Sequence, residues 1–178
     1  YTAEVRTEIW AYCLMPNHVH LVLVPRDSDG LRVPLAEVHR RYAAVINARE
    51  NWRGHLWQER FHSFVMDEAY LLATVRYVEM NPVAAGLCEQ AEQWRWSSAA
   101  AHLDGKHDGI VNVRPMLSRV DDWRAYLDVC SREDTLNRIR KHQRTGRPLG
   151  DDAFMNAIEA LTGLELKVKK RGPCRKER

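Results

Sequence analysis

Cysteine is scarce in this chain. Cys13, Cys88, Cys130 and Cys174 are scattered, with no close pair and no zinc-ligand spacing. That excludes a disulfide framework and a cysteine-held zinc site, and it fits a reducing cytosol. Cys13 is expected in the core as a small apolar residue. No apolar run is long enough to span a bilayer, and no secretory leader is expected. Internal repeats and long low-complexity tracts are absent, so neither a solenoid nor a mainly disordered chain is expected. An excess of one charge is also nearly absent: 27 Lys and Arg stand against 24 Asp and Glu, a formal net charge of +3. Bulk charge alone therefore does not announce nucleic acid. What is present is 178 residues, 45% of them hydrophobic, enough for one domain with a real core.

The most informative stretch is Met15-Pro16-Asn17-His18-Val19-His20-Leu21-Val22-Leu23-Val24. Pro16 and Asn17 break the extended run before them. His18 to Val24 is aliphatic, β-branched and uncharged apart from its imidazoles, which predicts a buried strand. Side chains alternate along a strand, so His18 and His20 point to one face and offer a two-nitrogen corner for a metal ion. Two polar residues on a solvated face would give the same pattern.

A helix is expected from Asp67 to Asn81, with Asp67 as N-cap, Glu68 in the first turn and Pro82 as the stop. Leu71, Val75 and Val78 form its apolar stripe. Tyr70, Thr74, Tyr77 and Asn81 form a neighbouring stripe, in which Tyr77 and Asn81 lie one turn apart. If this helix packs on the histidine face, a phenol and an amide oxygen reach the two imidazoles. An amide oxygen is a ligand that Mg2+ or Mn2+ accepts. A core tyrosine and a helix-capping asparagine are the plainer reading.

Elsewhere, Glu8 to Leu14 predicts a strand, Pro34 to Arg49 a helix, and Phe61 to Met66 a further strand. Ser97 to Leu103 is expected as a short helix capped by Ser97 and Ser98, and Asp121 to Ser131 as another. The charged span from Arg132 to Gly150 reads as a boundary before a helix from Asp151 to Leu161. Trp52, Trp57 and Phe61 are candidates for stacking on unpaired bases, although core packing is their commoner use. Arg60 suits a phosphate clamp through its planar fork, and Arg41 is a candidate backbone contact. His55 and His62 are weaker candidates as extra ligands. The terminal run Lys167 to Arg178, with Lys169, Lys170 and Arg171, reads as a phosphate-contacting arm or a solvated tail.

Tyr12 to Leu21 resembles the signature of the HUH single-tyrosine transposases, and most of all the REP-associated tyrosine transposases of bacteria. Leu56-Trp57-Gln58-Glu59-Arg60-Phe61, Tyr70-Leu71-Leu72, Arg76 to Leu87, Trp94-Arg95-Trp96-Ser97-Ser98 and Thr145 to Gly150 resemble further segments of that family in the same order. Ala84 departs from the pattern, which usually has Arg there. The chain also begins at Tyr1, where the family has another strand upstream.

The resemblance implies an α+β fold: an antiparallel sheet with packed helices, a ferredoxin-like or RRM-like HUH core lacking its first strand, and a small helical C-terminal segment. The expected division is a catalytic domain over residues 1–131 and a C-terminal segment with a basic tail over 132–178. It implies that His18, His20 and Asn81 hold a divalent ion, Mg2+ or Mn2+, and that Tyr77 is the nucleophile that forms a 5′-phosphotyrosine. Arg60, Trp57, Arg41, Lys169, Lys170 and Arg171 would contact the DNA. The implied partner is a single-stranded DNA hairpin of the repetitive extragenic palindromic type, bound by a monomer or homodimer in the cytoplasm at the nucleoid. Two other classes remain open: a hairpin-binding module without chemistry, and a metal-dependent phosphoester hydrolase that uses water.

Overall fold

The computed structural model describes residues 7–167. Strands β1 (Thr7–Leu14) and β2 (Val19–Pro25) form an antiparallel hairpin. Pro16 and Asn17 make its two-residue loop, closed by the Met15 N–H donating to the His18 carbonyl at 2.8 Å. The register sets Cys13 opposite His20 and Leu14 opposite Val19.

The outer edge of β1 is covered. Trp96 accepts from the Leu14 N–H at 2.8 Å, Ser98 N–H donates to the Tyr12 carbonyl at 3.0 Å, and Asn112 N–H donates to the Ile9 carbonyl at 2.8 Å. The tryptophan–serine element thus serves as a pseudo-strand that satisfies backbone groups an edge would leave open.

Helix α1 (Arg32–Glu50) starts two residues before the expected position and ends one after. It stands off one face of the hairpin and leaves a cavity of about 610 Å3 lined by Leu21, Leu23, Tyr42, Ile46 and Trp57. Helix α2 (Glu68–Glu79) packs on the other face. Asp67 caps it as expected, accepting from the Tyr70 N–H at 2.9 Å. Leu71, Val75 and Val78 are buried against Ala11, Cys13, Met15 and Val22. Pro82 does not stop α2. The backbone turns at Met80, and Pro82 sits inside the first turn of α3 (Asn81–Ala84), where its missing N–H costs nothing.

Three short helices follow, α4 (Ala99–Asp104), α5 (Arg114–Leu117) and α6 (Trp123–Asp128). Trp123, Tyr126, Leu127 and Met116 join the core under α2. Ser97 and Ser98 divide the labour expected of both as caps. Ser97 Oγ accepts from the Ala99 N–H at 3.3 Å, while Ser98 Oγ turns away to Glu79. The charged span read as a boundary instead holds α7 (Glu133–Thr145), which packs on α2 and has Ile139 fully buried. Helix α8 (Asp152–Thr162) follows, capped by Asp151.

Two expectations are corrected here. Phe61 to Val65 is not a strand; only Met66 bridges, in parallel with Leu149. The residue pattern suits a strand, but no neighbouring strand lies within reach to pair with it among the described residues. The histidine strand is also less buried than expected: within β2 only Val22 is buried, and His18 is exposed. The fold is α+β, as expected, with helices outweighing a two-stranded sheet. Among the described residues no helix is long and apolar enough to cross a membrane.

Candidate active site

The hairpin turn and the start of β2 place His18 and His20 together. Their Nε2 atoms lie 3.1 Å apart and the rings meet edge to face. Asn17 Oδ1 sits 2.6 Å from His18 Nδ1, which points His18 Nε2 inward. Asn81, at the start of α3, brings its side-chain amide to 3.2 Å from His20 Nε2. The backbone turn at Met80 re-aims this side chain while keeping it within one turn of Tyr77. The Tyr77 ring lies against His20, with centroids 5.5 Å apart at 69°. Tyr70, on the same stripe, lies instead beneath the Arg138 guanidinium, which is 5.0 Å from its ring. Packing thus separates two tyrosines that share one stripe of the helix.

The donor set fits a divalent ion. Two imidazole nitrogens 3.1 Å apart, each about 2.1 Å from an ion, would subtend about 95°, close to an octahedral edge. Turning the Asn81 amide over presents its oxygen at the same point, since the two amide atoms are interchangeable in shape. No group of three His, Cys, Asp or Glu side chains suited to a metal occurs among the described residues. A third protein ligand at this point would be the Asn81 amide, 3.2 Å from His20 Nε2. Burial, with a smaller contribution from His18, pushes the His20 pKa down to about 4. The ring is thus neutral, as a ligand must be, throughout the ordinary pH range.

Gln143 of α7 is the residue that sequence reasoning missed. Its Nε2 lies 3.3 Å from His20 Nδ1 and its Oε1 lies 3.5 Å from the Tyr77 hydroxyl. The second distance is a contact rather than a good hydrogen bond. Were Nε2 of His20 to ligate an ion, Nδ1 would carry the proton, and the Gln143 amide, turned over, would accept it. No local motif marks Gln143; only the packing of a helix more than sixty residues away reveals it.

Glu79, read as structural, is a buried bolt. It is 0% exposed and accepts from Ser98 Oγ at 2.5 Å, from His102 Nδ1 at 2.6 Å and from Trp123 Nε1 at 2.9 Å. A carboxylate survives burial only when so satisfied. It fixes the rotation of α2, and hence the direction of Tyr77.

The expected DNA contacts are spread out. Trp57 donates to the His39 carbonyl at 3.0 Å and stacks on the His39 ring at 4.2 Å, so it packs on α1. Arg41 pairs with Glu37 at 2.6 Å. Arg60 is exposed on the loop before Met66. His62 pairs with Glu59 at 2.9 Å and His55 is exposed, so neither joins the histidine pair. Lys169, Lys170 and Arg171 lie outside the described residues.

The family model described as "Transposase IS200 like" matches residues 1–81, a span that holds both histidines, Tyr77 and Asn81. No curated protein and no solved structure matches the chain. Over residues 1–81, just under half of its length, this chain is thus similar to the IS200-like transposases.

Proposed function

We propose that this chain is a metal-dependent single-stranded DNA endonuclease and strand transferase that works through a covalent phosphotyrosine at Tyr77. The match of residues 1–81 to the IS200-like transposase model supports the coarser part, a transposase that acts on DNA. The observation that supports the finer part is the meeting of four side chains from three elements. His18, His20 and Asn81 converge on one point, and Tyr77 lies against that group.

A divalent ion held by His18, His20 and Asn81 would act as a Lewis acid on the scissile phosphate and orient it. The chain's own residues do the rest. The Tyr77 oxygen attacks phosphorus, a new O–P bond forms, and the bond to the 3′ oxygen breaks. The tyrosine proton is lost and the departing 3′ oxygen takes one up, so a free 3′-OH remains beside a 5′-phosphotyrosine. Reversal by the same or another 3′-OH rejoins DNA without a nucleotide cofactor. The phenolate is both a fair nucleophile and a good leaving group, which suits a reversible step. Tyr77 needs no large motion, because α2 is fixed by Glu79. The substrate proposed is a hairpin of the repetitive extragenic palindromic type.

The test is incubation of the chain with labelled hairpin oligonucleotides and Mn2+, followed by denaturing electrophoresis. A slow-migrating protein–DNA adduct is expected from the unaltered chain and from Tyr70→Phe, and none from Tyr77→Phe. Cleavage without an adduct would replace the tyrosine mechanism with attack by water. Binding without cleavage in the presence of metal would reduce the chain to a hairpin-binding module.

A further inference from the structure

The histidine and tyrosine cluster has a neighbour that the mechanism does not use, the outer face of α7. Between Thr135 and Gly150 the chain carries Arg138, Arg140, Lys141, Arg144 and Arg147 and not one Asp or Glu. Asn137, Arg140, Lys141 and Arg144 recur at the i, i+3, i+4, i+7 spacing of a single helix face. Together with Gln143 they line one shallow depression. The inner face of the same helix is pinned by the fully buried Ile139. Gln143 therefore stands at the border, lining the depression while its amide meets His20 and Tyr77.

A solvated helix end is the ordinary account of such charges. The helix dipole favours cations in the last turn, which covers Arg144. It does not account for Arg140 and Lys141, which lie before that turn. Arg140 is partly answered by Glu133 at 3.2 Å. Lys141 and Arg144 have no carboxylate partner among the described residues and are exposed. Cations spaced along a depression whose border residue, Gln143, also meets Tyr77 match a chain of phosphodiesters.

We propose that Arg140, Lys141 and Arg144 of α7 bind backbone phosphates of the single strand that flanks the bond attacked by Tyr77. The proposal rests on the function inferred above and specifies where that substrate lies. These contacts read no bases. They set the register of the strand while its scissile phosphate rests at the histidines.

The full chain and its Arg140→Gln/Lys141→Gln/Arg144→Gln variant are compared by fluorescence anisotropy with a hairpin carrying a single-stranded flank, over a salt series. Each lost phosphate contact on a single strand flattens the log–log salt slope by about 0.7, so the triple variant should lose about 2 and each single variant about 0.7. Adduct formation at saturating DNA should stay within about twofold, because no group at the reacting atoms has changed. A second triple variant, Arg95→Gln/Lys106→Gln/Arg114→Gln, removes the same charge from other exposed positions and should leave the slope intact. A slope unchanged in the α7 variant overturns the proposal, as does an equal loss in the second triple. An unaltered chain that neither binds the hairpin nor forms an adduct overturns the functional reading, and this inference with it.

Discussion

Replacing Glu79 by Ala tests whether the bolt on α2 is real. The side chain is fully buried and accepts from three donors, Ser98 Oγ, His102 Nδ1 and Trp123 Nε1. A buried donor left unpaired costs about 1–3 kcal/mol. The three do not simply add. Ser98 Oγ has a second acceptor in the Tyr12 carbonyl at 3.3 Å. Trp123 Nε1 has no such escape. Adding the cavity left by the lost side chain, the expected loss is about 3–5 kcal/mol, the range seen when one partner of a buried polar network is removed. For a chain of this size that is a fall in Tm of about 10 °C. Glu79→Gln keeps the volume and one acceptor oxygen and should lose about half as much. Urea unfolding followed by circular dichroism gives the energies, and adduct formation at low temperature gives the function. A loss below about 1 kcal/mol in Glu79→Ala would refute the bolt. A stably folded Glu79→Gln that forms no adduct would move Glu79 from scaffold to chemistry.

Three further outcomes follow from the site. The His20 pKa is lowered from 6.5 to about 4, so above pH 6.5 the ring is neutral whether folded or unfolded. As pH falls from 6.5 toward 4 the unfolded chain takes up the proton first, and stability drops by up to about 3 kcal/mol, less where solvent reaches the ring. NMR titration should show an imidazole midpoint near 4 that disappears in His20→Gln, and a midpoint near 6.5 would refute the burial argument. Gln143→Leu keeps the bulk but removes the amide at His20 Nδ1, so Mn2+ affinity, read by water-proton relaxation, should fall by about 10–100-fold. Unchanged affinity would leave Gln143 as packing alone. Asn81→Ala should slow adduct formation and recover in part at high Mn2+; a defect indifferent to Mn2+ would remove Asn81 from the ligand set.

Much of the site was legible because its parts are local. A proline–asparagine loop, two histidines at strand spacing, an Asp cap and a Tyr–Asn pair one turn apart are short-range patterns, and the structure brings them together. The α7 helix was not legible for a physical reason. Its inner face needs only Leu136, Ile139 and the stem of Gln143, so too few apolar residues mark its period among the cations. The segment Phe61 to Val65 failed in the opposite way, since it has strand composition without a strand to pair with. Ser98 was read as a cap because serine before a helix usually is one. Its real partner, Glu79, lies nineteen residues back and on another helix face.

Glu79 and Tyr77 are two residues apart on α2, one locked inward and the other turned to the histidines. If Tyr77 takes a DNA strand as proposed, a helix held this way would not roll to carry that strand from one place to another. In any exchange of ends at this centre, the protein is the fixed jig and the nucleic acid is the moving part. The free 3′ end must leave and its replacement must arrive while the tyrosine stays put. Amide hydrogen exchange should accordingly be as slow at Val75 and Val78 with the adduct formed as without it.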